Sequence, residues 1–110
     1  MMETTLEQMK KNEDWTDGVM SYAKEFGLDD VEEVIASVEG ANDGPDWIGV
    51  FKLKNGKYGI VIAGCDYTGW DCQAWGHSVV TDTLDELIRY KMTSGERERT
   101  GLGYKHEPPD

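Results

Sequence analysis

The chain has 110 residues, a size that fits one domain (1–110) and can bury a modest core without disulfides or metals. Its 22 acidic and 11 basic residues give a formal net charge of −11, which disfavours direct nucleic-acid binding because phosphates are recognised by basic surfaces. The sequence has neither a signal-like apolar segment at its start nor an apolar run of membrane-spanning length. We therefore expect a cytoplasmic protein with reduced cysteines and no membrane contact.

The negative charge is concentrated in the first part of the chain. Residues 1–46 contain thirteen acidic residues and three lysines, a net of −10, whereas residues 47–110 contain nine acidic and eight basic residues, a net of −1. Such a field attracts a basic partner, either a protein or a nucleoprotein complex. An acidic surface also keeps a protein soluble, so the charge alone leaves both interpretations open.

Two helices are predicted in this acidic part. Apolar residues recur at helical spacing over residues 12–27 and again over residues 28–40. In the second segment Asp29 and Glu32 resemble a capping box, and Gly40 follows the last turn. The two apolar stripes comprise Trp15, Val19, Tyr22 and Phe26 in the first helix and Val31, Val34, Ile35 and Val38 in the second.

From residue 47 the apolar period changes to two, which predicts β-strands. Asn55 and Gly56 lie at the centre of this block and predict a hairpin with a two-residue turn. In that register Leu53 faces Tyr58. The predicted core face carries Trp47, Phe51, Leu53, Tyr58, Ile60 and Ile62.

Residues 73–80, QAWGHSVV, continue as a third strand. If Cys65 and Cys72 flank a six-residue loop, Ile62 faces Trp75, and Trp75 is buried in the core.

A C-terminal helix follows, with Thr83 and Glu86 in capping-box positions, Leu87 and Ile88 turned inward, and Gly95 at its end. We expect a frayed polar tail from about residue 101. The predicted fold class is α+β, in the order α-α-β-β-β-α, with helices on a three-stranded antiparallel meander.

Cys65, Cys72 and His77 are the residues that would support a small thiol or metal-dependent enzyme. Their spacing, C-x6-C-x4-H, lacks the closely spaced cysteine pair that is usual in zinc sites. Cysteines in small domains are also commonly buried and inert. We therefore expect no catalytic residues, metal or cofactor, while the enzyme stays an alternative.

The aromatic residues Tyr67 and Trp70 are predicted at the apex of the turn between the second and third strands. Exposed aromatic side chains on a rigid loop are typical anchors of protein interfaces. The equally open alternative is that Trp70 folds back and covers the core. A third possibility is a structural or assembly protein that uses this aromatic loop as an oligomer interface. The sequence does not define an oligomeric state.

The stretch DYTGWDCQ, residues 66–73, together with the following DTLDELIR, resembles a motif of small uncharacterised phage and bacterial proteins. In general character the chain also resembles acidic anti-defence inhibitors, such as anti-CRISPR and anti-restriction proteins. The resemblance implies an inhibitor of a host enzyme or defence complex, acting in the host cytoplasm if it is phage-encoded. It assigns no catalytic residues.

The leading hypothesis is a non-enzymatic protein that inhibits a basic, nucleic-acid-handling partner. Carboxylates three or four residues apart on a helix lie about 5–6 Å from one another, so a row of them resembles successive phosphates. The predicted partner-binding residues are Asp29, Asp30, Glu32, Glu33, Glu39, Asp43, Asp46, Tyr67 and Trp70.

Overall fold

The computed structural model describes residues 5–66 and 69–102, with the backbone alone for residue 69 and residues 71–73. The α+β class is confirmed, but the sheet has four antiparallel strands in the order β1-β2-β3-β4, and the helices are arranged differently from the prediction. The strands are β1 (Val31–Val38), β2 (Trp47–Leu53), β3 (Tyr58–Asp66) and β4 (Gly69–Thr81). The helical segments are α1 (Leu6–Lys10), α2 (Leu84–Glu86) and α3 (Ser94–Thr100), the π-helical segments Asp14–Gly18 and Leu87–Lys91, and the 3₁₀ segments Val19–Tyr22 and Leu28–Asp30.

The N-terminal segment is a series of short turns instead of one helix over residues 12–27. A capping box between Thr5 and Gln8 begins α1, and the chain leaves helical geometry at Ala23. The inward residues of the predicted stripe are nevertheless buried at Trp15 and Phe26. Packing against the sheet orients these side chains although the helix is broken.

The predicted second helix is wrong, because residues 31–38 form the edge strand β1. Its register against β2 shifts twice, between Val31 and Glu33 and between Val34 and Ala36. A β-bulge adds a residue to one strand and breaks the period of two. As a result Val31 and Val34, three residues apart, both pack against the same core. The bulges therefore give this strand the apolar spacing of a helix. The β-branched residues of the segment favour a strand.

The sheet separates two cores, one on each face. The first core lies beneath the N-terminal segment and the second beneath the C-terminal helices. The first contains Met9, Trp15, Val19, Phe26, Val31, Trp47, Phe51, Leu53, Val61, Ala63 and Cys65, and the second contains Ala36, Ile48, Val50, Ile60, Ile62, Leu87, Ile88 and Met92.

The hairpin between β2 and β3 has a three-residue loop, so the predicted register is wrong by one residue. Leu53 N–H donates to the carbonyl of Lys57 (2.8 Å), and Gly56 N–H donates to the carbonyl of Leu53 (3.0 Å). Gly56 has φ of +87°, as in a type I turn followed by a left-handed residue. Tyr58 therefore pairs with Lys52. The slip moves Tyr58, Ile60 and Ile62 to the face opposite Phe51 and Leu53.

The pairing of β3 with β4 differs from the prediction by two residues. Ile62 pairs with His77, Gly64 pairs with Trp75, and Cys65 pairs with Ala74. A shift of two preserves the face of every side chain but moves it along the sheet. Trp75 consequently lies beyond the second core, and the prediction that it is buried is wrong, since 49% of it is exposed.

After β4 the chain covers the second core. The hydroxyl of Thr83 accepts the N–H of Glu86 (3.1 Å), which confirms the predicted N-cap, and Leu87 and Ile88 are buried as predicted. Gly95 does not end this helix. A new capping box begins α3, and Gly101 ends it in the left-handed conformation. Among the described residues, no helix has the length and apolar character needed to cross a membrane.

Candidate acidic and aromatic binding surface

The predicted acidic residues are divided between the two ends of the sheet, because β1 separates them. Asp29 and Glu32 lie at the end that carries the β2–β3 hairpin. Asp29 is 3.7 Å from the Nζ of Lys10, and Glu32 is 3.1 Å from the Nζ of Lys52. The hydrogen bond and charge of Glu32 raise the pKa of Lys52 above its usual value. The predicted helical row of carboxylates does not exist, since this segment is a bulged strand.

Two other predicted residues of this group are exposed at the same end. The carboxylate of Asp30 accepts the backbone N–H of Gly27 (2.9 Å), and the carbonyl of Asp30 accepts the N–H of Lys54. Glu33 faces Lys52 in the β1–β2 register. The acidic residues here are therefore interleaved with lysines.

At the opposite end, the loop between β1 and β2 carries Glu39, Asp43 and Asp46. Asp43 N–H donates to the carbonyl of Cys65 (2.9 Å), which ties this loop to the end of β3. Asp43 has φ of +53°, a left-handed conformation that aspartate tolerates better than most residues. The loop thus holds its carboxylates beside the last residues of β3.

Asp14 and Asp66 extend this group. The indole N–H of Trp70 donates to the carboxylate of Asp14 (3.1 Å), which brings the N-terminal segment to β4. The charges of Asp14 and Asp66 both raise the pKa of the Cys65 thiol, so both carboxylates lie near the end of β3. We call the resulting group the acidic end: Asp14, Glu39, Asp43, Asp46 and Asp66.

Basic residues of the sheet lie far from the acidic end. Within residues 31–82 the three basic side chains are Lys52, Lys54 and Lys57, all at the hairpin end. Lys52 pairs with Glu32, and Lys57 pairs with Asp82 at 3.5 Å. The sheet is therefore electrostatically polar along its strands.

The indole of Trp70 is partly buried on the first core instead of exposed at the turn apex. Its ring centre is 5.0 Å from that of Trp47. A β-carbon on Gly18 would lie closer than 3.0 Å to the Trp70 ring, so this glycine leaves the space that the indole fills. Trp70 follows the alternative in which it covers the core. The other predicted aromatic residue, Tyr67, lies outside the described residues.

Trp75 is the half-exposed indole of the acidic end. It lies opposite Gly64, and both its ring and the Asp46 carboxylate would be closer than 3.0 Å to a β-carbon on Gly64. The indole and the carboxylate are therefore neighbours on the face of the second core. Trp75, Asp14 and Asp66 were absent from the predicted site, since only the observed β3–β4 register and the Trp70 contact bring them to this end.

Cys65 and His77 do not form a common site. Cys65 is buried in the first core, with its thiol 3.2 Å from the side-chain oxygen of Asn42, whereas His77 faces the opposite side of the sheet. Burial, followed by the charges of Asp14 and Asp66, raises the pKa of the Cys65 thiol. A protonated thiol is a poor nucleophile and a poor metal ligand.

The side chain of Cys72, the third predicted member of the alternative thiol or metal site, lies outside the described part of the chain. Among the described residues, no group of three or more histidine, cysteine or acidic side chains is arranged to hold a metal ion.

The chain was compared with protein-family models, with curated proteins and with solved structures, and none of these comparisons produced a match. The resemblance of residues 66–73 to phage and bacterial proteins therefore stays a prediction.

Proposed function

We propose that this chain is a non-enzymatic binding protein that inhibits a basic, nucleic-acid-handling partner. The observation that carries the proposal is the electrostatic polarity of the sheet. The acidic end gathers five carboxylates from three separate parts of the chain, while the lysines of the sheet lie at the opposite end.

The electrostatic polarity of the sheet indicates which end binds the partner. Carboxylates that are grouped together produce a stronger local potential than the same charges spread over a surface, and this potential attracts a basic surface and accelerates its association. At the hairpin end, ion pairs with Lys10 and Lys52 weaken the field of the neighbouring acidic residues. The acidic end groups its carboxylates away from the lysines of the sheet, and we assign it as the surface for a basic partner.

Competition with nucleic acid follows from charge, without a regular row of phosphate-like groups. A partner that binds DNA or RNA presents lysine and arginine side chains to phosphates. The carboxylates of the acidic end would occupy some of the same side chains. The proposal therefore predicts mutual exclusion between this protein and nucleic acid on the partner.

The experiment is a capture from bacterial lysate on the immobilised protein, with elution by added salt or added duplex DNA and identification by mass spectrometry. The test variant combines Glu39→Gln, Asp43→Asn and Asp46→Asn. The control variant removes the same charge at the hairpin end through Asp29→Asn, Glu32→Gln and Glu33→Gln.

We expect the parent chain to capture nucleic-acid-binding proteins that added salt or DNA releases. The control variant should still capture these proteins, and the test variant should not. Circular dichroism would verify that both variants are folded. The proposal would be contradicted if added DNA did not release the captured proteins, or if both folded variants lost capture to the same extent.

A further inference from the structure

Residues 74–81 of strand β4 form a regular outer edge of the sheet. Strand β4 is the last strand of the sheet and pairs with β3 on one side, and eight successive pairs from Tyr58–Thr81 to Cys65–Ala74 show no register shift. Residues 74–80 are all at least partly exposed, whereas residues 59–65 of β3 are buried. An edge strand of this kind presents unpaired backbone N–H and C=O groups to another chain.

Within β4, residues 74–81 lack the features by which proteins normally prevent such pairing. Residues 74–81, AWGHSVVT, contain no acidic residue, lysine, arginine or proline. The other edge strand, β1, has two register shifts, carries the exposed Glu32 and Glu33, and contacts α1 and α3. Bulges, charges and covering helices protect an edge from intermolecular pairing. Only one of the two edges is therefore open to strand addition in the described part of the chain.

The N-terminal segment contacts β4 through side chains on one face. Lys24 N–H donates to the hydroxyl of Ser78 (3.0 Å), and the Tyr22 ring lies over Gly76. Ser78 pairs with Val61 and Gly76 pairs with Ala63, so both contacts are on the face of the first core. They fix the strand without using its outer backbone groups.

Trp75 belongs to this edge strand, and the carboxylate of Asp46, which precedes β2, lies beside its ring. Together the two side chains provide a chemical preference. The indole is 49% exposed, and it is a neighbour of the Asp46 carboxylate above Gly64. A cation over an indole is attracted by the ring, and a guanidinium additionally donates hydrogen bonds to a carboxylate. This pair of side chains suits arginine.

We propose that the β4 edge binds an extended, arginine-containing segment of the partner by strand addition, with one arginine between Trp75 and Asp46. The basic character of the segment rests on the proposed function. Charge complementarity favours this occupant over a second copy of the chain, because two copies with a net charge of −11 repel each other. Backbone pairing supplies affinity, and the Trp75–Asp46 pair supplies selectivity.

The probe is a capped heptapeptide of alternating arginine and valine, followed by amide NMR on the full chain. A control peptide replaces two valines with prolines, which keeps the charge but prevents strand pairing. We expect the first peptide to shift and protect amides within residues 74–80 and to bind at least about tenfold more tightly than the proline peptide. Equal binding of the two peptides would show a purely electrostatic attraction and overturn strand addition.

Variants test the side-chain part of the proposal. We expect Trp75→Ala and Asp46→Asn each to lower the affinity for the arginine–valine peptide by about threefold to tenfold. Tyr90→Ala serves as the control, because Tyr90 is an exposed aromatic residue (63%) on the C-terminal helical segment. A loss equal to that of Tyr90→Ala would overturn the role of the Trp75–Asp46 pair.

The outcomes also separate this inference from the proposed function. Peptide binding at residues 74–80 together with no DNA-sensitive capture would support the edge and contradict the proposed function. DNA-sensitive capture together with unperturbed amides at residues 74–80 would support the proposed function and overturn strand addition at the edge. Protection of these amides without peptide, accompanied by a dimeric mass in light scattering, would overturn the inference in favour of self-pairing.

Discussion

The indole N–H of Trp70 donates to the carboxylate of Asp14 across 3.1 Å, joining two residues that are 56 positions apart in the chain. The same ring packs on Trp47, with centres 5.0 Å apart. One side chain therefore connects β4 with the N-terminal segment and with the first residue of β2. This connection makes Trp70 a structural residue and leaves Trp75 as the indole available to a partner.

Replacement of the two tryptophans should separate these roles. We expect Trp70→Ala to lower the free energy of unfolding by about 2–4 kcal/mol, because it removes a large, partly buried side chain from the first core. Trp75→Ala should lower it by less than about 1 kcal/mol, because half of that side chain is already exposed. Urea denaturation of both variants gives the ranking. A larger loss for Trp75→Ala would show that the β3–β4 register is incorrect.

The hydrogen bond of Trp70 can be tested apart from its packing. Trp70→Phe keeps an aromatic ring against Trp47 but removes the donor to Asp14, so we expect a loss of about 1 kcal/mol. In the Trp70→Phe background, Asp14→Asn should have a smaller effect than in the parent chain, as in a double-mutant cycle. Additive losses in urea denaturation would mean that the two side chains do not interact.

Gly18 should be intolerant of a side chain for steric reasons. Its φ of −93° lies outside the left-handed region, but an added β-carbon would lie closer than 3.0 Å to the Trp70 ring. We expect Gly18→Ala to destabilise the protein by about 1–3 kcal/mol, as overpacking does. Gly95→Ala is the matched control. Gly95 lies within α3, and the nearest atom to an added β-carbon is the Thr93 hydroxyl at 4.0 Å, so this change should be neutral or stabilising. Equal unfolding free energies of the two variants would contradict the close packing of Trp70.

The sequence predicted where the apolar segments lie better than it predicted which backbone conformation they adopt. Val31 and Val34 have helical spacing, yet they lie on one side of a strand because a bulge separates them. A bulge is selected by pairing with the neighbouring strand and leaves no marker in a single sequence. The β-branched composition of residues 31–38 was the available signal for a strand.

The hairpin shows the same limit at the level of register. Asn55-Gly56 correctly located the turn, but a three-residue loop places Gly56 at its left-handed position and moves every later side chain of β3 to the other face. Both faces of β3 are apolar because the sheet lies between two cores, so hydrophobic alternation did not distinguish the two registers. Trp75 was misplaced for a separate reason, because the pairing of β3 with β4 differs from the prediction by two residues.

Gly56 provides a test of the hairpin register. No atom lies within 4 Å of the position of an added β-carbon, so the cost of a substitution is conformational alone. We expect Gly56→Ala to reduce stability by about 1–2 kcal/mol because of the positive φ, and Gly56→Asn to reduce it by less. Thermal or urea denaturation would compare the two variants. Equal losses, or none, would argue against a left-handed residue at this position.

Cys65 predicts a pH dependence of stability. Burial and the charges of Asp14 and Asp66 raise the pKa of its thiol above the ordinary value of 9.0, so the folded state retains the proton at a pH where the unfolded state releases it. The unfolded chain then binds fewer protons than the folded chain, and the free energy of unfolding falls as the pH rises. The contribution of the thiol is complete below its ordinary pKa and is lost as the pH rises through the raised value.

The measurement is urea denaturation from pH 7 to pH 10 in the parent chain and in Cys65→Ala. The difference between their unfolding free energies isolates the Cys65 thiol, because both chains contain the same lysines and tyrosines. We expect the parent to lose stability more steeply than Cys65→Ala above about pH 9. The same burial should make Cys65 slow to react with a thiol reagent at pH 8 until urea unfolds the chain. Parallel pH profiles together with rapid labelling of the folded protein at Cys65 would show that this thiol is accessible, contrary to its place in the first core.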